Sequence, residues 1–446
     1  MGNPELPIHL VIEILSRLPV KTLLHFRRVC KGWLSLISDP YFANLHLYKS
    51  QPSLLLAPFK PVGSRESWKL NLVDLHLNPS SPSNDPVELV TTINLPKGPF
   101  PYNVVNSCNG LLCLFAPCTD SPISICNPLL GELVTLPRCP SGCPILSFSY
   151  VAFGYSPMTD QYKVVRSFYG KGRLTCETEI YTLGEGSWRN MGKIPCMVRN
   201  TSFNAFLDGS LHWISDAFSV DFIYCLDFGS EQFRSVPEPS KFGLAKKECW
   251  DCMDVVVLRD CLSICDLSEP GHSEVWVMKD YGVKESWSKD FVIDTMMIDG
   301  TCLYYEPIMV LEDGQILVFE DERCSILLYE PGSNCLRNVR TLGFSTRYFL
   351  GRAHVPSLLS LRNVAEGENF KDYVISIVSL NAGKYARHGA TYSSNPLLSQ
   401  NASLKGALFP SISSSIVPLT TALPTALTSA FSSSTIPAVY NTTTPP

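Results

Sequence analysis

The beginning of the chain has apolar residues at helical spacing. Leu6, Leu10 and Ile14 recur every fourth residue, so one face of a helix is apolar. Pro19 ends this helix, because proline lacks the backbone N–H that the next turn needs, and Pro40 marks a further restart. We therefore expect two or three short helices and another one after Pro40. A unit of about forty residues is too small to bury this apolar surface alone, so a partner or the following domain must cover it.

From about residue 53 to residue 361 the helical period disappears. Short runs rich in valine, isoleucine, leucine and aromatic residues alternate there with glycine, proline, asparagine and aspartate, which is typical of strands joined by turns. One phrase of strand, turn and strand recurs with spacings of 54, 43, 52 and 53 residues when it is aligned on Asn127, Tyr181, Tyr224, Trp276 and Tyr329. A spacing near fifty residues is typical of the four-stranded blades of a β-propeller.

A second cue, a tight turn followed by a strand, precedes these phrases. It occurs at Asn109-Gly110, Asp208-Gly209, Asp260-Cys261 and Asp313-Gly314, and residues 153–157 stand in its place in the second blade. Residues 67–77 would add a sixth blade, and residues 354–361 could close the ring. The expected fold class is a small all-α module followed by a large all-β domain, a β-propeller of about six blades. Two stacked β-sheets are the alternative, although they do not require the recurrence.

Composition and charge narrow the class of protein. The chain has 446 residues, of which 45% are hydrophobic and 17% charged, so it can bury a large core. Its net charge of −5 gives no support to nucleic-acid binding as its main task. The cations of the helical segment are better explained as a solvated face that meets an acidic protein: Arg17, Lys21, Arg27, Arg28 and Lys31.

The location of the protein follows from signals and cysteines. We find no secretory signal and no run of transmembrane length, and we expect no membrane partner. The 17 cysteines are an odd number spread through apolar segments, which suits free thiols in a reducing compartment. The sequence therefore predicts a cytoplasmic or nuclear protein, or both.

The chain changes character after residue 361. Residues 406–446 contain no charged side chain and are rich in serine, threonine, proline and alanine. The scattered prolines argue against a helix or a transmembrane span. We expect residues 362–446 to form a largely disordered tail.

The residues that could carry chemistry form no known catalytic pattern. The sequence has no P-loop, no dinucleotide-binding glycine pattern, no nucleophile elbow and no zinc-protease motif. The best metal candidate combines Cys249 and Cys252 with Cys261, Cys265 and His272, since thiolates at short spacing can close a tetrahedral zinc site. Cys261 and Cys265 alternate with apolar residues as buried strand thiols do, so we expect no metal, no cofactor and no catalytic residue.

The helical segment resembles the F-box, the module that docks a substrate receptor onto the adaptor of SCF-type ubiquitin ligases. The matching residues are Leu6-Pro7, Glu13-Ile14-Leu15, Arg17-Leu18-Pro19-Val20-Lys21, Leu23-Leu24, Phe26-Arg27, Val29-Cys30-Lys31 and Trp33. His9 stands where the family commonly has an acidic residue. The resemblance implies that the following residues pack on the adaptor or on the module's own core, two roles that the sequence does not divide: Leu6, Pro7, Ile14, Leu15, Leu18, Pro19, Val20, Leu23, Leu24, Val29, Cys30 and Trp33. A generic helical hairpin, the alternative, would not need this ordered set.

The strand-rich region resembles the F-box-associated domain found downstream of plant F-boxes. The likeness lies in the phrases SCNGLLCL, ICNPLLGELVTLP, FGYSPMTDQYKVV, DGSLHWIS and IYCLDFGSEQFRSVP, which follow one another between residues 107 and 237. It implies an F-box at residues 1–48, a kelch-like substrate-binding propeller at residues 53–361 and the tail at residues 362–446. The implied function is that of a non-catalytic subunit, which bridges the adaptor, and through it the cullin scaffold, to an unknown target protein for ubiquitination.

Exposed aromatic residues on propeller loops would anchor the target. The candidates, each of which could equally belong to the core, are Tyr102, Trp250, Tyr304 and Tyr305. Two other functions stay open. A propeller that binds a small molecule or glycan predicts a deep polar central pocket, with the F-box used for turnover or not at all. An enzyme predicts carboxylates, histidines or a metal that converge at one end of the channel.

Overall fold

The computed structural model of the protein describes residues 6–58, 69–73, 89–95, 103–115, 123–139, 150–169, 176–194, 205–215, 221–242, 252–269, 271–294, 305–320, 325–339, 349–368 and 370–372. In these residues the chain forms a group of short helices followed by six β-sheets. None of the helices in these ranges is long and apolar enough to cross a membrane.

Short helices open the described chain: α1 (Ile8–Leu15), α2 (Val20–Phe26), α3 (Lys31–Ile37) and α4 (Pro40–Lys49). Pro7 and Pro19 occupy the N-cap positions of α1 and α2, where the helix loses no internal N–H donor. The carboxylate of Asp39 caps α4, since it accepts hydrogen bonds from the backbone N–H groups of Tyr41 and Phe42 at 2.9 and 3.4 Å. The expected helices and the restart after Asp39 are confirmed.

Six antiparallel sheets form the blades of a propeller, which confirms the expected fold class. The first strands of neighbouring blades contact one another and are therefore the innermost ones. From the innermost strand outwards, blade 1 contains β4 (Asn103–Cys108), β5 (Leu111–Phe115), β6 (Ile123–Asn127) and β7 (Glu132–Thr135); blade 2 contains β8 (Tyr150–Ser156), β9 (Gln161–Tyr169), β10 (Cys176–Thr182) and β11 (Trp188–Lys193); blade 3 contains β12 (Phe206–Leu207), β13 (Ser210–Ile214), β14 (Ile223–Asp227) and β15 (Gln232–Val236). Blade 4 contains β16 (Met253–Leu258), β17 (Cys261–Asp266), β18 (His272–Met278) and β19 (Trp287–Asp294); blade 5 contains β20 (Tyr305–Val310), β21 (Ile316–Glu320), β22 (Ser325–Glu330) and β23 (Cys335–Asn338); blade 6 contains β24 (Phe349–His354), β1 (Ser53–Pro58), β2 (Lys69–Val73) and β3 (Leu89–Asn94).

The sequence repeat marks equivalent positions in successive blades. The third strand of its blade carries each aligned residue, namely Asn127, Tyr181, Tyr224, Trp276 and Tyr329. Residues 67–77 contain β2, the third strand of blade 6. The turn cues join first and second strands, and the backbone has positive φ at Asn109, Gly110, Asp208, Gly209, Asp260 and Gly314. The spacing near fifty residues therefore reported one blade per repeat.

Both ends of the β domain close the ring. β24 is the innermost strand of blade 6 and pairs with β1 from His354 opposite Ser53 to Phe349 opposite Pro58. This corrects the expectation that residues 354–361 close the ring, because the closing strand ends at His354. The boundary at residue 361 also lies too early: α5 (Leu361–Val364) follows, and β25 (Phe370–Asp372) pairs with β7 at the outer edge of blade 1. We call residues 355–368 the strap.

Charged side chains join blade 2 to blade 3. Nζ of Lys163 lies 2.8 Å from Oε1 of Glu231 and 2.9 Å from the carbonyl oxygen of Phe228. Arg189 binds the same carboxylate at 2.7 Å. Hydrogen bonds from Arg189 and Lys163 lower the pKa of Glu231 to about 2, so this carboxylate stays charged at neutral pH and ties the two blades together.

The hairpin turns lie at one end of the propeller. Antiparallel pairing places the turn between the first and second strands at the same end as the turn between the third and fourth. Met158, in the first turn of blade 2, lies against Gly229 in the second turn of blade 3, where an added Cβ would meet its methyl group at 2.9 Å. We call this end the turn face. The helices adjoin it, because β1 starts at Ser53 beside His354, the turn-face end of β24.

Candidate protein-interaction surfaces

The four helices form a module with a core of its own. Phe26 and Trp33 pack edge to face there, with ring centroids 4.8 Å apart. Leu358 of the strap is buried in the same core, together with residues from all four helices: Leu15, Leu23, Ile37, Phe42 and Ala43. The strap is therefore part of the module's packing as well as of the propeller.

Outside this core the module exposes many large apolar side chains. We call them the apolar surface, and they are Leu6, Ile8, Leu10, Ile14, Val29, Leu34, Tyr41 and Tyr48. Leu6, Ile14 and Val29 expose 63%, 54% and 65% of their area. Covering one such side chain is worth about 1.5–3 kcal/mol, so several of them together favour a partner that buries them.

The structure divides the predicted adaptor contacts into two groups. The exposed ones are Leu6, Pro7, Ile14, Pro19, Val29 and Cys30. The buried or half-buried ones, which pack in the module core or against the propeller, are Leu15, Leu18, Val20, Leu23, Leu24 and Trp33. A partner could reach the first group directly, whereas the second holds the helices in place. Adaptor contact by the first group stays a prediction.

Polar contacts fix α4 against the corner between α1 and α2. Glu13 forms ion pairs with Arg17 at 2.6 Å and Lys49 at 2.7 Å, and hydrogen bonds from Lys49 and Arg17 lower its pKa. Nε2 of His46 lies 3.0 Å from the carbonyl oxygen of Leu18. Burial lowers the pKa of His46, so this side chain is neutral at pH 7. The corner at Leu18 is thereby held in one conformation.

The module is seated on the propeller through α2. Val20 and Leu24 pack against the apolar core shared by blades 6 and 1, and Leu130 of the turn between β6 and β7 packs against the module core. Burial lowers the pKa of Arg27, an effect that the nearby charge of Glu132 opposes. The propeller covers this side of the module and leaves the apolar surface open.

Hydrogen bonds tie the strap to blade 1. Nδ2 of Asn127 donates to the carbonyl oxygens of Ser357 and Leu359 at 3.0 and 2.7 Å. The carboxylate of Glu132 accepts a hydrogen bond of 2.8 Å from the hydroxyl of Ser360. Because the same strap carries Leu358 into the module core, these bonds fix the orientation of the module relative to blade 1.

The predicted target anchors are mostly outside the described residues, as is the case for Tyr102, Trp250 and Tyr304. Tyr305 is only 5% exposed and packs in the core between blades 4 and 5. Its backbone carbonyl accepts a hydrogen bond from the thiol of Cys265. The prediction of Tyr305 as an exposed anchor is therefore wrong, because alternation along β20 turns its ring inward.

The candidate zinc ligands do not come together. Cys252 precedes β16 and Cys261 begins β17, and the pairing of Leu258 with Cys261 and of Met253 with Asp266 places the two cysteines at opposite ends of the hairpin. Six strand residues span about 20 Å, far more than the ligands of one zinc ion. No group of three or more potential ligands is found in the described part of the chain, which does not include Cys249.

His212 holds a turn in place. Its Nδ1 lies 3.0 Å from the carbonyl oxygen of Ala205, which can only accept, so Nδ1 donates. Its Nε2 therefore accepts the hydroxyl proton of Tyr281 at 2.7 Å. Burial lowers the pKa of His212 to about 4, which keeps the ring neutral. The histidine thus fixes Tyr281, which lies on the turn between β18 and β19.

Polar and apolar features inside the propeller bear on the small-molecule alternative. Arg352 on β24 interacts electrostatically with Glu306 on β20 and Asp254 on β16, so charges from three blades meet near the axis and partly compensate one another. A cavity of about 280 Å³ lies between blades 2 and 3 and is lined mainly by apolar side chains such as those of Trp213 and Phe233. Neither feature is the deep polar pocket that a ligand with several polar groups would need.

Sequence reasoning missed part of the exposed apolar area. On the module it left out Ile8, Leu10, Leu34, Tyr41 and Tyr48, although Leu10 shares the stripe of Leu6 and Ile14. On the propeller it left out Met158, Tyr281 and Val283. These three lie on turns, where no periodic pattern marks an exposed apolar side chain.

Comparisons with known proteins agree with this architecture. Residues 4–45 match the F-box domain, and residues 62–361 match the F-box associated beta propeller domain. An F-box protein of Arabidopsis thaliana is 28% identical, over 67% of this chain and 75% of its own length. From the same plant, an F-box/kelch-repeat protein is 29% identical over 74% of this chain and 89% of its own, and F-box protein CPR1 is 25% identical over 75% and 84%.

Proposed function

Since the chain belongs to the family of F-box proteins with an F-box-associated β-propeller domain, we propose that it is the substrate-recognition subunit of an SCF-type ubiquitin ligase. The observation that carries the proposal is the apolar surface of the module, which the chain leaves uncovered. An SCF adaptor buries this surface, with Leu6, Ile14 and Val29 among the contacts. The cullin scaffold joins through the adaptor.

The chain works by tethering and performs no covalent step. The module holds the adaptor and the propeller holds a target protein, so that a lysine of the target stays close to a ubiquitin-charged conjugating enzyme. Tethering replaces a rare encounter by an intramolecular one and raises the effective concentration of that lysine. The shared core at Leu358 supports this role, because it fixes the angle between the two binding surfaces. The complex acts in the cytoplasm, the nucleus or both.

Light scattering after size-exclusion chromatography tests this assignment. We expect the purified full chain, a plant SCF adaptor and the adaptor-binding half of a cullin to elute as one complex with one copy of each. In the matched control without the adaptor, the chain and the cullin should elute separately, because the adaptor is the bridge. Elution of the chain on its own from the full mixture would contradict the proposed function.

A further inference from the structure

The module and the strap cover one side of the turn face. Gly110, in the first turn of blade 1, lies so close to the strap that an added Cβ would meet Cβ of Ser357. Gly184, in the second turn of blade 2, lies against the backbone of Glu366 at 3.6 Å. The described contacts of the module and the strap are thus with blades 6, 1 and 2. The turns of blades 3 and 4 lie on the other side of the ring.

The exposed large apolar residues of the described propeller lie on this open side. Met158, on the turn between β8 and β9, exposes 73% of its area. Tyr281 and Val283, on the turn between β18 and β19, expose 48% and 45%. Exposed apolar side chains that occur together on an otherwise polar surface mark a site of protein contact.

These side chains belong to one continuous surface across blades 2, 3 and 4. Met158 lies over Gly229, whose N–H donates to Asp227 at 2.8 Å. Asp227 forms an ion pair of 3.0 Å with Arg234, and the charge of Arg234 acts on the hydroxyl of Tyr281. The hydrogen bond from Tyr281 to His212 holds the far end of this surface in place, so a partner would meet a preorganised site.

The turns of blades 2 to 5 are acidic. They carry nine acidic side chains, Asp160, Glu185, Asp208, Glu231, Asp260, Asp280, Glu285, Glu312 and Asp313, and three basic ones, Arg259, Lys279 and Lys284. Glu231 is already paired with Lys163 and Arg189, but most of the other carboxylates are exposed. Such a potential attracts a cationic partner and repels an acidic one.

We propose that this open part of the turn face binds the target protein, through a segment in which lysine or arginine side chains flank an apolar one. The apolar side chain covers Met158, Tyr281 and Val283, and the cations face the surrounding carboxylates. The inference rests on the proposed function and deepens it, because it names the docking surface and the chemistry of its partner. The target therefore approaches on the same face of the propeller as the module, across the ring from blade 1.

A random peptide library displayed on phage, selected on the full chain bound to its adaptor, tests the inference. We expect the enriched peptides to be net positive with at least one aliphatic or aromatic residue. Affinity for a synthetic peptide of the enriched sequence should fall about tenfold or more in the double variant Met158→Asp and Val283→Asp, and should also fall as salt is raised from about 50 to about 500 mM. Ser240→Asp, which adds one exposed negative charge beyond the end of β15 at the opposite end of the strands, should leave the affinity unchanged.

Three results would overturn the inference: enrichment of acidic or neutral peptides, no enrichment above background, or an affinity that Ser240→Asp reduces and the double variant does not. Adaptor binding is measured on the same preparations and is expected to be equal in all of them. A chain that fails to bind the adaptor refutes the proposed function, whereas a chain that binds the adaptor but fails the peptide test refutes the docking surface alone.

Discussion

Replacing Ile14 and Val29 with aspartate is expected to weaken adaptor binding at least about a hundredfold, because each change removes about 2 kcal/mol of apolar contact and places a charge in the interface. Both side chains are exposed, so the folded chain loses no internal packing and its melting temperature should stay the same. Isothermal titration of the purified adaptor into the wild-type chain and the double variant measures the change.

The double variant Met158→Asp and Val283→Asp is the matched control, since it makes the same kind of change at exposed apolar residues of the propeller. It should bind the adaptor like the wild type. Equal affinities for all three proteins would show that the adaptor does not contact Ile14 and Val29. Leu18 is a poorer choice for such a test, because it packs against the module core and its loss would also loosen the helices.

A chain that ends at residue 348 is expected to lose its cooperative unfolding transition altogether. It lacks β24, whose six residues pair with β1, and its loss uncovers the fully buried side chains of Leu54 and Leu56 at an open sheet edge. It also lacks Leu358, which fills the module core. Thermal melting followed by circular dichroism measures the effect on the free energy of unfolding.

The matched control is a chain that ends at Asp372, which keeps every described strand and helix. Its melting temperature should lie within about 2 °C of that of the full chain, a shift of well under 1 kcal/mol in a protein of this size. A cooperative transition at the wild-type temperature in the chain ending at residue 348 would refute the role given to β24.

Local rules carried the sequence prediction a long way in the module and the blades. Pro19 and Asp39 set helix boundaries by chemistry that acts within a few residues, so the sequence alone located them. The Asn-Gly and Asp-Gly turns likewise need positive φ, and Asn109 and Asp208 adopt it. The number of blades followed because each repeat supplies one four-stranded sheet.

Long-range packing decided what the sequence could not. The segment after His354 has leucines at strand-like spacing, but Leu358 packs in the module and Leu359 in the core of blades 1 and 2. The true closing strand contains Gly351 and Arg352, which weaken its strand pattern. The face of each residue in the module was equally hidden, since burial of Leu15 and exposure of Ile14 depend on where the propeller sits.

Alkylation of Cys30 tests most directly the claim that an adaptor covers the module's apolar surface. Cys30 and Cys335 are both exposed, the first among the predicted adaptor contacts and the second on the outer strand of blade 5. Mass spectrometry of the chain treated with iodoacetamide, with and without saturating adaptor, gives both labelling rates in one sample. We predict that the adaptor slows labelling of Cys30 about tenfold or more and leaves Cys335 unchanged. Labelling of Cys30 at the same rate in the presence of the adaptor would contradict this account.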